Sequence, residues 1–235
     1  MKISICIPVL NEEKRIEEGI LELEKFISSQ FKKNQIKIII ADGKSSDKTI
    51  EIVEKLQKKF SNLHLKQFKR GGKGFQVTET FKDEEADFFI QMDIDMPVPP
   101  IYIKELIFWL NRGYDVVIGS RLMKESKIRR TVRRKIISRG YSFIVRLFFR
   151  SPIMDYQCGF KGFDAKKIKS ILPITEEGYA FDTELILKGL KSGLKIKEIP
   201  VEWEEKPGSK MNILKHSMQM FLSLLKLRRE LNQKK

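Results

Sequence analysis

The chain has 235 residues, of which 41% are hydrophobic and 33% are charged, a composition that excludes a disordered protein and fits one large folded domain or two small ones. Lys and Arg outnumber Asp and Glu by 46 to 31, and the formal net charge of +15 favours an anionic partner such as a nucleotide, a nucleic acid or an anionic lipid. No apolar run approaches the ~20 residues that a membrane-spanning helix requires. The two cysteines, Cys6 and Cys158, lack metal-binding spacing and indicate a reduced, cytosolic protein.

Strand and helix patterns alternate through the first half of the chain. Short apolar runs of strand length are separated by segments with apolar residues at helical spacing. The predicted strands span residues 3–9, 36–41, 63–68, 87–92 and 115–119, and the predicted helices span residues 12–29, 47–60, 74–82 and 100–111. Ser46 or Asp47 is expected to cap the second helix. This β-α-β-α order predicts a mainly parallel sheet with helices on its faces.

Two carboxylates, Asp93 and Asp95, follow the predicted strand 87–92, and Pro97 then ends it. Open α/β sheets bind their ligands outside the carboxyl ends of parallel strands. Carboxylate oxygens at such an edge suit Mg²⁺ or Mn²⁺, which would bridge them to phosphates. An acidic turn that caps the following helix is the alternative, and the pair taken alone leaves both interpretations open.

Two further segments come to the same predicted edge. Asp42 ends the second strand, and its carboxylate can accept a hydrogen bond from a base N–H or a ribose hydroxyl. The loop 70–74 places Lys73 between glycines, which would let the backbone approach a phosphate, although an ordinary glycine turn is the simpler alternative. The first strand is not followed by Gly-x-Gly-x-x-Gly, and Lys73 is not followed by Ser or Thr, which argues against a dinucleotide site and a P-loop.

Taken together, the motifs resemble those of the family 2 inverting glycosyltransferases of the GT-A fold. The first half supplies Pro-x-Leu-Asn-Glu from Pro8, Asp-Gly-x-Ser-x-Asp-x-Thr from Asp42, the Gly-Lys-Gly loop, Asp93-x-Asp95 and Gly119-Ser120-Arg121. The second half supplies Asp155-Tyr-Gln-Cys-Gly-Phe-Lys161, Gly178-Tyr-Ala-Phe-Asp182-Thr-Glu184, and Val201-Glu-Trp203 leading to Pro207-Gly208-Ser209-Lys210. The second set looks like that of dolichyl-phosphate glucosyltransferases and their mannosyl relatives. The resemblance extends over nearly the whole chain.

The resemblance implies an activity, the transfer of a hexose from a nucleotide diphosphate sugar to dolichyl or polyprenyl phosphate, with inversion at the anomeric carbon. UDP-glucose is the favoured donor and GDP-mannose the alternative. Mg²⁺ or Mn²⁺ would lie on Asp95, with Asp93 on the metal or the ribose, and would neutralise the diphosphate leaving group. The acceptor is already an anion, so its oxygen can attack without a strong protein base, but it needs cations to position it.

The resemblance also implies roles for individual residues. The nucleotide sugar would be bound by Pro8, Leu10, Glu12, Asp42, Lys73, Asp93 and Ile94. The acceptor phosphate would be bound by Arg121, Arg134, Ser138 and Lys210. Catalysis would depend on Asp93, Asp95, Arg121 and Asp182. Asp182 and Glu184 could orient the sugar hydroxyls, or they could simply stabilise the start of a helix.

The chain departs from the family pattern at three positions. Leu10 stands where many relatives have an aromatic residue, which weakens the expectation of stacking on the base. Gly43 stands where many relatives have a second aspartate. Pro97 lies where some mannosyl relatives have a third metal ligand, so metal binding would depend on Asp95, water and the diphosphate. The last departure also weakens the case for GDP-mannose over UDP-glucose.

The chain is predicted to divide into a catalytic domain and a basic tail. Residues 1–210 would form the GT-A domain, with a nucleotide-sugar half at 1–121 and an acceptor half at 122–210, and residues 211–235 would form a basic amphipathic helix. Cations and apolar residues are also interleaved at 128–150. Both basic segments suit an anionic membrane surface, which predicts a peripheral protein on the cytoplasmic face of the membrane. Packing on the core and a homodimer seam are the alternatives.

Other functions would share part of this pattern. A family 2 glycosyltransferase with a soluble acceptor would have the same motifs. A phosphatase of the haloacid dehalogenase type would use Asp93 as nucleophile and Asp95 as acid/base, but its motif normally opens the chain and continues with Thr or Gly, whereas Met96 follows here. A nucleic-acid-binding module would explain the net charge and would leave the Asp pair unexplained, so no nucleic-acid partner is predicted.

Overall fold

The computed structural model describes residues 1–32, 34–178, 180–205 and 223–229, with the backbone alone at 132–134. Within these residues, seven strands form one sheet and two short strands form another. The large sheet contains β1 (Ile3–Val9), β2 (Ile36–Asp42), β3 (Leu63–Gln67), β4 (Phe88–Gln91), β5 (Val116–Ser120), β7 (Lys161–Asp164) and β8 (Ile196–Pro200). The small sheet contains β6 (Lys127–Arg129) and β9 (Glu202–Glu204).

The strand order of the large sheet is β3-β2-β1-β4-β7-β5-β8. Strand β7 is antiparallel to both of its neighbours, β4 and β5, and the other pairs are parallel. The predicted mainly parallel sheet is therefore confirmed. The strand that interrupts it comes from the second half of the chain, and it carries Lys161 into the centre of the sheet.

Helices cover both faces of the large sheet. They are α1 (Ile16–Gln30), α2 (Thr49–Gln57), α3 (Lys73–Asp83), α4 (Ile103–Leu110), α5 (Val132–Phe149), α6 (Ala165–Ser170) and α7 (Phe181–Lys191), with a 3₁₀ turn at Pro100–Tyr102. Successive residues of β1 point to opposite faces: Ile5 and Ile7 pack in the core beneath α1 and α4, and Cys6 packs in the core beneath α3 and α7. Because both faces are buried, the central strands β1, β2, β4 and β5 are mostly apolar.

Several predicted helix boundaries are wrong, including the end of α2, which lies at Gln57 and not at residue 60, and the start of α4, which lies at Ile103 and not at residue 100. Helix α1 begins at Ile16, four residues later than expected, because the turn before it is held by an ion pair between Glu12 and Arg15. Helix α2 begins at Thr49 with Lys48 at the N-cap position. The carboxylate of Asp47 still accepts the N–H of Thr49 at 3.0 Å. The basic segment expected from residue 128 first forms β6 and becomes helical only at residue 132.

Helix α5 presents apolar side chains both to the core and to the surface. Val145 is fully buried, whereas Ile136, Phe143 and Leu147 are 65%, 66% and 66% exposed. The helical segment 223–229 buries Leu224 and Leu227 in the core cluster that also contains Val145. The rest of the predicted tail helix, 211–235, lies outside the described residues. In the part of the chain that the structure describes, we find no helix whose length and apolarity would let it span a bilayer.

Candidate active site

The carboxyl ends of β1, β2 and β4 meet at one edge of the large sheet, as predicted. Asp42 pairs with Val9 in the register of β1 and β2, and its side chain is fully buried. Its Oδ2 accepts the backbone N–H groups of Lys44 and Ser45, both at 3.0 Å. Its Oδ1 has no hydrogen-bond partner among the described residues. A buried carboxylate oxygen normally has a partner, so this oxygen is the best candidate acceptor for a polar group of a ligand.

Three loops close over Asp42. A Cβ at Gly43 would lie 2.9 Å from the Cα of Gly71, and a Cβ at Gly71 would lie 3.3 Å from the side chain of Leu10. The amide of Gln76 donates to the carbonyl of Val9 at 2.9 Å and fastens α3 to this edge. Position 43 therefore favours glycine, because the backbone of the loop after β2 contacts the backbone of the glycine-rich loop 70–74 and leaves no room for a side chain.

Asp93 lies at the end of β4 in contact with the glycine-rich loop. The ammonium of Lys73 lies 2.6 Å from its Oδ1. Burial opposes ionisation of Asp93, but the attraction of the carboxylate to the Lys73 ammonium outweighs burial, and the pKa of the carboxyl is lowered. The backbone of Gly159 passes so close that a Cβ there would lie 2.1 Å from Oδ2 of Asp93. The structure thus brings together Lys73 and Asp93, which the sequence separates by twenty residues, and adds Gly159.

Asp95 has a different partner. Its Oδ2 lies 3.3 Å from Arg15, whose guanidinium also binds the carboxylate of Glu12. Burial and the neighbouring Asp93 raise the pKa of Asp95, against the effect of Arg15. Between the two aspartates, Ile94 packs in the core with 4% exposure. The side chain of Ile94 is therefore closed to a nucleotide, and a contact through its backbone stays a prediction.

Asp182 lies at the start of α7 and belongs to a buried ion pair. The ammonium of Lys161, which is fully buried on β7, lies 2.6 Å from its Oδ1, and Gln91 of β4 donates to the same oxygen at 3.2 Å. Lys161 also donates to the carbonyl of Cys158. The pair therefore ties the start of α7 to the centre of the sheet.

Arg121 follows β5 and is held by Asp155. Its Nε and Nη2 donate to the two carboxylate oxygens at 2.7 and 2.9 Å, and its backbone N–H donates to Oδ2 at 2.9 Å. Burial opposes the charge of the guanidinium, but Asp155 raises its pKa further above the ordinary value. The guanidinium carbon lies 5.7 Å from the ring centre of Trp203. Arg121 is thus a fixed, permanently charged cation beside an indole.

Two other predicted residues have different environments from those expected. The carboxylate of Glu184 is fully buried and accepts the backbone N–H groups of Thr175 and Glu176 at 2.9 and 2.7 Å. It anchors that loop, so the expected contact with sugar hydroxyls is not supported. Ser138 is buried on α5 and accepts a hydrogen bond from Arg130 at 3.1 Å. For Arg134 the structure describes only the backbone, one turn before Ser138, and Lys210 lies outside the described residues.

The metal hypothesis can be tested on the side chains present. The described residues contain no cluster of three His, Cys, Asp or Glu side chains placed to hold a metal. Asp93 and Asp95 are both partly exposed, and each faces a cationic side chain. This arrangement fits a divalent cation that takes its other ligands from water and a diphosphate. It does not fit a metal held by protein alone.

Sequence reasoning missed four residues of this region. Arg15 pairs with Asp95 across the sheet edge, Gly159 supports Asp93, Asp155 fixes Arg121 and Lys161 fixes Asp182. The last three lie within the motif from Asp155 to Lys161, but the motif does not indicate which distant residues they contact. Nothing in the sequence indicates a role for Arg15 except its position three residues after Glu12.

Comparison with known proteins bears on this geometry. The family model described as glycosyl transferase family 2 matches residues 4–172. Among curated proteins, glycosyltransferase AglD of Haloferax volcanii is 28% identical over 96% of this chain and 37% of its own length. Dolichyl-phosphate beta-glucosyltransferase ALG5A of Trichomonas vaginalis is 32% identical over 90% of this chain and 68% of its length. Dolichol-phosphate mannosyltransferase of Pyrococcus furiosus is 30% identical over 85% of this chain and 56% of its length.

The chain thus spans little more than a third of the Haloferax protein and about two thirds of the Trichomonas protein. Among solved structures, glucosyl-3-phosphoglycerate synthase from Mycobacterium tuberculosis in complex with Mn²⁺, UDP and glucosyl-3-phosphoglycerate matches with a TM-score of 0.74 at 18% identity, covering 96% of this chain and 79% of that one. This likeness confirms the predicted GT-A type of fold. The family match covers most of the chain, and the protein belongs to glycosyltransferase family 2.

Proposed function

We propose that this glycosyltransferase moves a hexose from a nucleotide diphosphate sugar to the phosphate of a polyprenyl or dolichyl lipid, with inversion at the anomeric carbon. The names of the Trichomonas and Pyrococcus relatives support a lipid phosphate as acceptor. In the reaction, an oxygen of the lipid phosphate forms a bond to the anomeric carbon. The bond from that carbon to the diphosphate breaks, and the nucleoside diphosphate leaves with the electron pair.

One observation carries this proposal: the carboxylates around Asp93 are already paired with cations. Asp93 faces Lys73, Asp95 faces Arg15, and the more deeply buried Asp155 and Asp182 face Arg121 and Lys161. A hydroxyl acceptor would need a carboxylate placed to remove its proton. A phosphate monoester is already ionised and needs cations for positioning, so the site suits a phosphate acceptor better than a hydroxyl.

The donor would be bound at the edge formed by β1, β2 and β4. We assign to Asp42 a hydrogen bond from the base or ribose, because its Oδ1 is buried and has no partner among the described residues. Lys73 and Asp93 lie where the diphosphate would be held. A divalent cation on Asp93 and Asp95 would neutralise the charge that develops on the leaving group.

UDP-glucose remains the favoured donor. It agrees with the glucosyltransferase name of the Trichomonas relative. The mycobacterial structure contains UDP, which agrees with this choice. At 18% identity, the likeness to that structure shows the fold alone. GDP-mannose is the alternative suggested by the Pyrococcus relative. The side chain of Pro97 has no oxygen where some mannosyl relatives have a metal ligand, which weakens the case for GDP-mannose.

The lipid acceptor would reach the site along α5. The three exposed apolar side chains of this helix, Ile136, Phe143 and Leu147, lie three or four residues apart or at multiples of that spacing, on one side of the helix. Exposed cations are interleaved with them: Lys135, Arg139, Arg146 and Arg150. Such a surface fits an anionic bilayer interface. We therefore infer a peripheral position on a membrane, at its cytoplasmic face, with the buried, free Cys6 and Cys158 compatible with that compartment.

The test is a transfer assay with the full chain and labelled UDP-glucose or GDP-mannose, with Mn²⁺ or Mg²⁺. A polyprenyl phosphate is compared with two water-soluble acceptors, 3-phosphoglycerate and a free sugar. We expect acid-labile glucosyl phosphate lipid from UDP-glucose and little product from the soluble acceptors. Efficient transfer to a soluble acceptor without lipid product would contradict the proposed acceptor and leave the family unchanged.

A matched variant isolates the donor site. Asp42→Ala should weaken UDP binding by roughly 1–3 kcal/mol, because a charged hydrogen-bond acceptor is lost. Asp164→Asn is the control, since Asp164 caps the short helix α6 away from this edge. Calorimetry that gives the same UDP affinity for Asp42→Ala and wild type would refute the assignment of Asp42.

A further inference from the structure

Arg15 lies beside the two aspartates that follow β4. It is the N-cap residue of α1, and its backbone N–H donates to the carbonyl of Glu12 at 2.9 Å. Helix α1 packs directly on the aspartate loop, because a Cβ at Gly19 would clash with the carbonyl oxygen of Ile94. The backbone that carries Arg15 is therefore fixed against the backbone that carries the two aspartates.

The guanidinium of Arg15 makes two unequal contacts. Its Nε and Nη2 donate to the two carboxylate oxygens of Glu12 at 2.8 and 2.9 Å, the two-bonded geometry in which arginine binds carboxylates most strongly. Its Nη1 lies 3.3 Å from Oδ2 of Asp95, slightly beyond the usual range of about 2.7–3.2 Å. Glu12 is itself held, because its backbone N–H donates to the hydroxyl of Thr49 at 2.8 Å. Glu12 thus orients the guanidinium, and the weaker contact with Asp95 is the one that can be exchanged.

The charges around Arg15 suit such an exchange. The carboxylates of Glu12, Asp93 and Asp95 face the cations of Arg15 and Lys73, so these five groups carry an excess of one negative charge. A divalent cation on the aspartates would change this to an excess of one positive charge and would repel the guanidinium from Asp95. A diphosphate would attract it. The side chain of Arg15 is 26% exposed, so such a ligand can reach it.

We propose that Arg15 binds the diphosphate of the donor through Nη1 and that it leaves Asp95 when a divalent cation binds there, an inference that rests on the proposed function. Glu12 is the positioning residue, since it holds the other side of the guanidinium before and after the exchange. When the bond from the anomeric carbon breaks, negative charge grows on the diphosphate, and the Nη1 hydrogen bond stabilises that charge. Without the donor, the same nitrogen occupies Asp95.

The preceding lysine provides a matched control. Lys14 is exposed, and Lys14→Gln removes the same charge as Arg15→Gln while it leaves the contacts of Arg15 with Glu12 and Asp95 in place. Both ion pairs of Arg15 are partly exposed, so Arg15→Gln should keep a melting temperature close to that of wild type. Arg15→Lys keeps the charge and loses the planar fork.

The first measurement is the factor by which Mn²⁺ increases the affinity for UDP, from calorimetric titrations in saturating Mn²⁺ and in EDTA. Arg15→Gln should lower this factor at least about tenfold, the effect of losing a charged hydrogen bond that forms only after the metal has bound. Lys14→Gln should keep the wild-type factor, and Arg15→Lys should recover part of it. Uridine has no diphosphate, and its affinity should be the same in all four proteins.

A double variant tests the role of Glu12. Glu12→Gln should lower the Mn²⁺ factor by less than Arg15→Gln does, because the guanidinium remains but is held less firmly. If Glu12 acts through Arg15, the variant with both substitutions should lose no more than Arg15→Gln alone. Additive losses would show that Glu12 binds the nucleotide independently of Arg15, and they would overturn its positioning role.

The outcomes separate this inference from the proposed function. An equal Mn²⁺ factor in wild type, Arg15→Gln and Lys14→Gln overturns the inference and leaves the proposed function intact. Equal reductions in Arg15→Gln and Lys14→Gln also overturn it, because net charge alone would then explain the effect. GDP and guanosine replace UDP and uridine if wild type binds GDP more tightly. If wild type binds neither diphosphate with Mn²⁺, the proposed function fails and this inference fails with it.

Discussion

The two halves of the chain use charged residues in different ways. At the edge formed by β1, β2 and β4, the ion pairs of Asp93 and Asp95 are partly exposed. In the second half, Asp155 and Asp182 are buried together with their cationic partners. Water and ligands reach the first group, so a metal ion could replace the side-chain cations on its carboxylates, and those cations could then bind a diphosphate. The second group is closed to such exchange, and it fixes the backbone on which the first group rests.

The largest expected effect comes from breaking a buried pair. Lys161→Met leaves the Asp182 carboxylate without its cation and should cost about 3–5 kcal/mol of stability. Lys73→Met is the control from the other half, because its side chain is 23% exposed whereas that of Lys161 is 0% exposed. It should cost about 1 kcal/mol or less and should weaken UDP binding instead. Urea unfolding and UDP titration of both variants measure the contrast.

Equal losses of stability in Lys161→Met and Lys73→Met would contradict the distinction between the halves. A double variant sharpens the test. Lys161→Met combined with Asp182→Leu removes both charges, and it should be more stable than Lys161→Met alone. If the double variant is less stable than the single one, Asp182 contributes something besides its ion pair.

The next effect concerns the point at which the two halves touch. Gly159→Ala would place a methyl group 2.1 Å from the Asp93 carboxylate and push it out of position. A misplacement of about 1 Å can cost roughly 100-fold in rate, so transfer should fall by about that factor. Gly140→Ala is the control, because a Cβ there meets nothing within 4 Å, and it should stabilise α5 by about 0.5–1 kcal/mol.

Kinetic assays and thermal unfolding distinguish the two glycine variants. If Gly159→Ala retains wild-type kcat, Asp93 either tolerates displacement or takes no part in the reaction. A loss of stability without loss of kcat would assign Gly159 to folding alone.

The smallest effect is a difference in pH dependence. Burial and Asp93 raise the pKa of Asp95 above its ordinary value of 3.8, so the ionised carboxylate costs stability at neutral pH and the cost disappears as pH falls through the raised pKa. Arg121 overcomes burial and lowers the pKa of Asp155, so this pair stabilises above pH 3.8 and is lost only as pH falls further.

Asp95→Asn should therefore gain stability relative to wild type at pH 7, and the gain should shrink as the pH approaches 4. Melting temperatures of both proteins between pH 7 and pH 4 measure this difference. A difference that is constant across the range would show that Asp95 has no raised pKa in the folded protein.

Much of the fold followed from the sequence alone. The bounds of β1 were predicted correctly, and β2, β3, β4 and β5 differ from prediction by at most two residues at either end. Apolar periodicity is a local property, and a strand buried on both faces appears in the sequence as a continuous apolar run. The same local signal located Asp42 and Asp93, because each directly follows or ends an apolar run.

The tertiary structure decided which charges meet. Arg15 and Asp95 are 80 residues apart in the chain, and Gln91 and Asp182 are 91 apart. No periodicity encodes such pairs, since they depend on the strand order and on the insertion of antiparallel β7 between β4 and β5. The sequence determined the fold class and the presence of carboxylates at one sheet edge. Only long-range packing determined which of them are buried with a cation and which stay open to a ligand, because burial and pairing are properties of the assembled sheet.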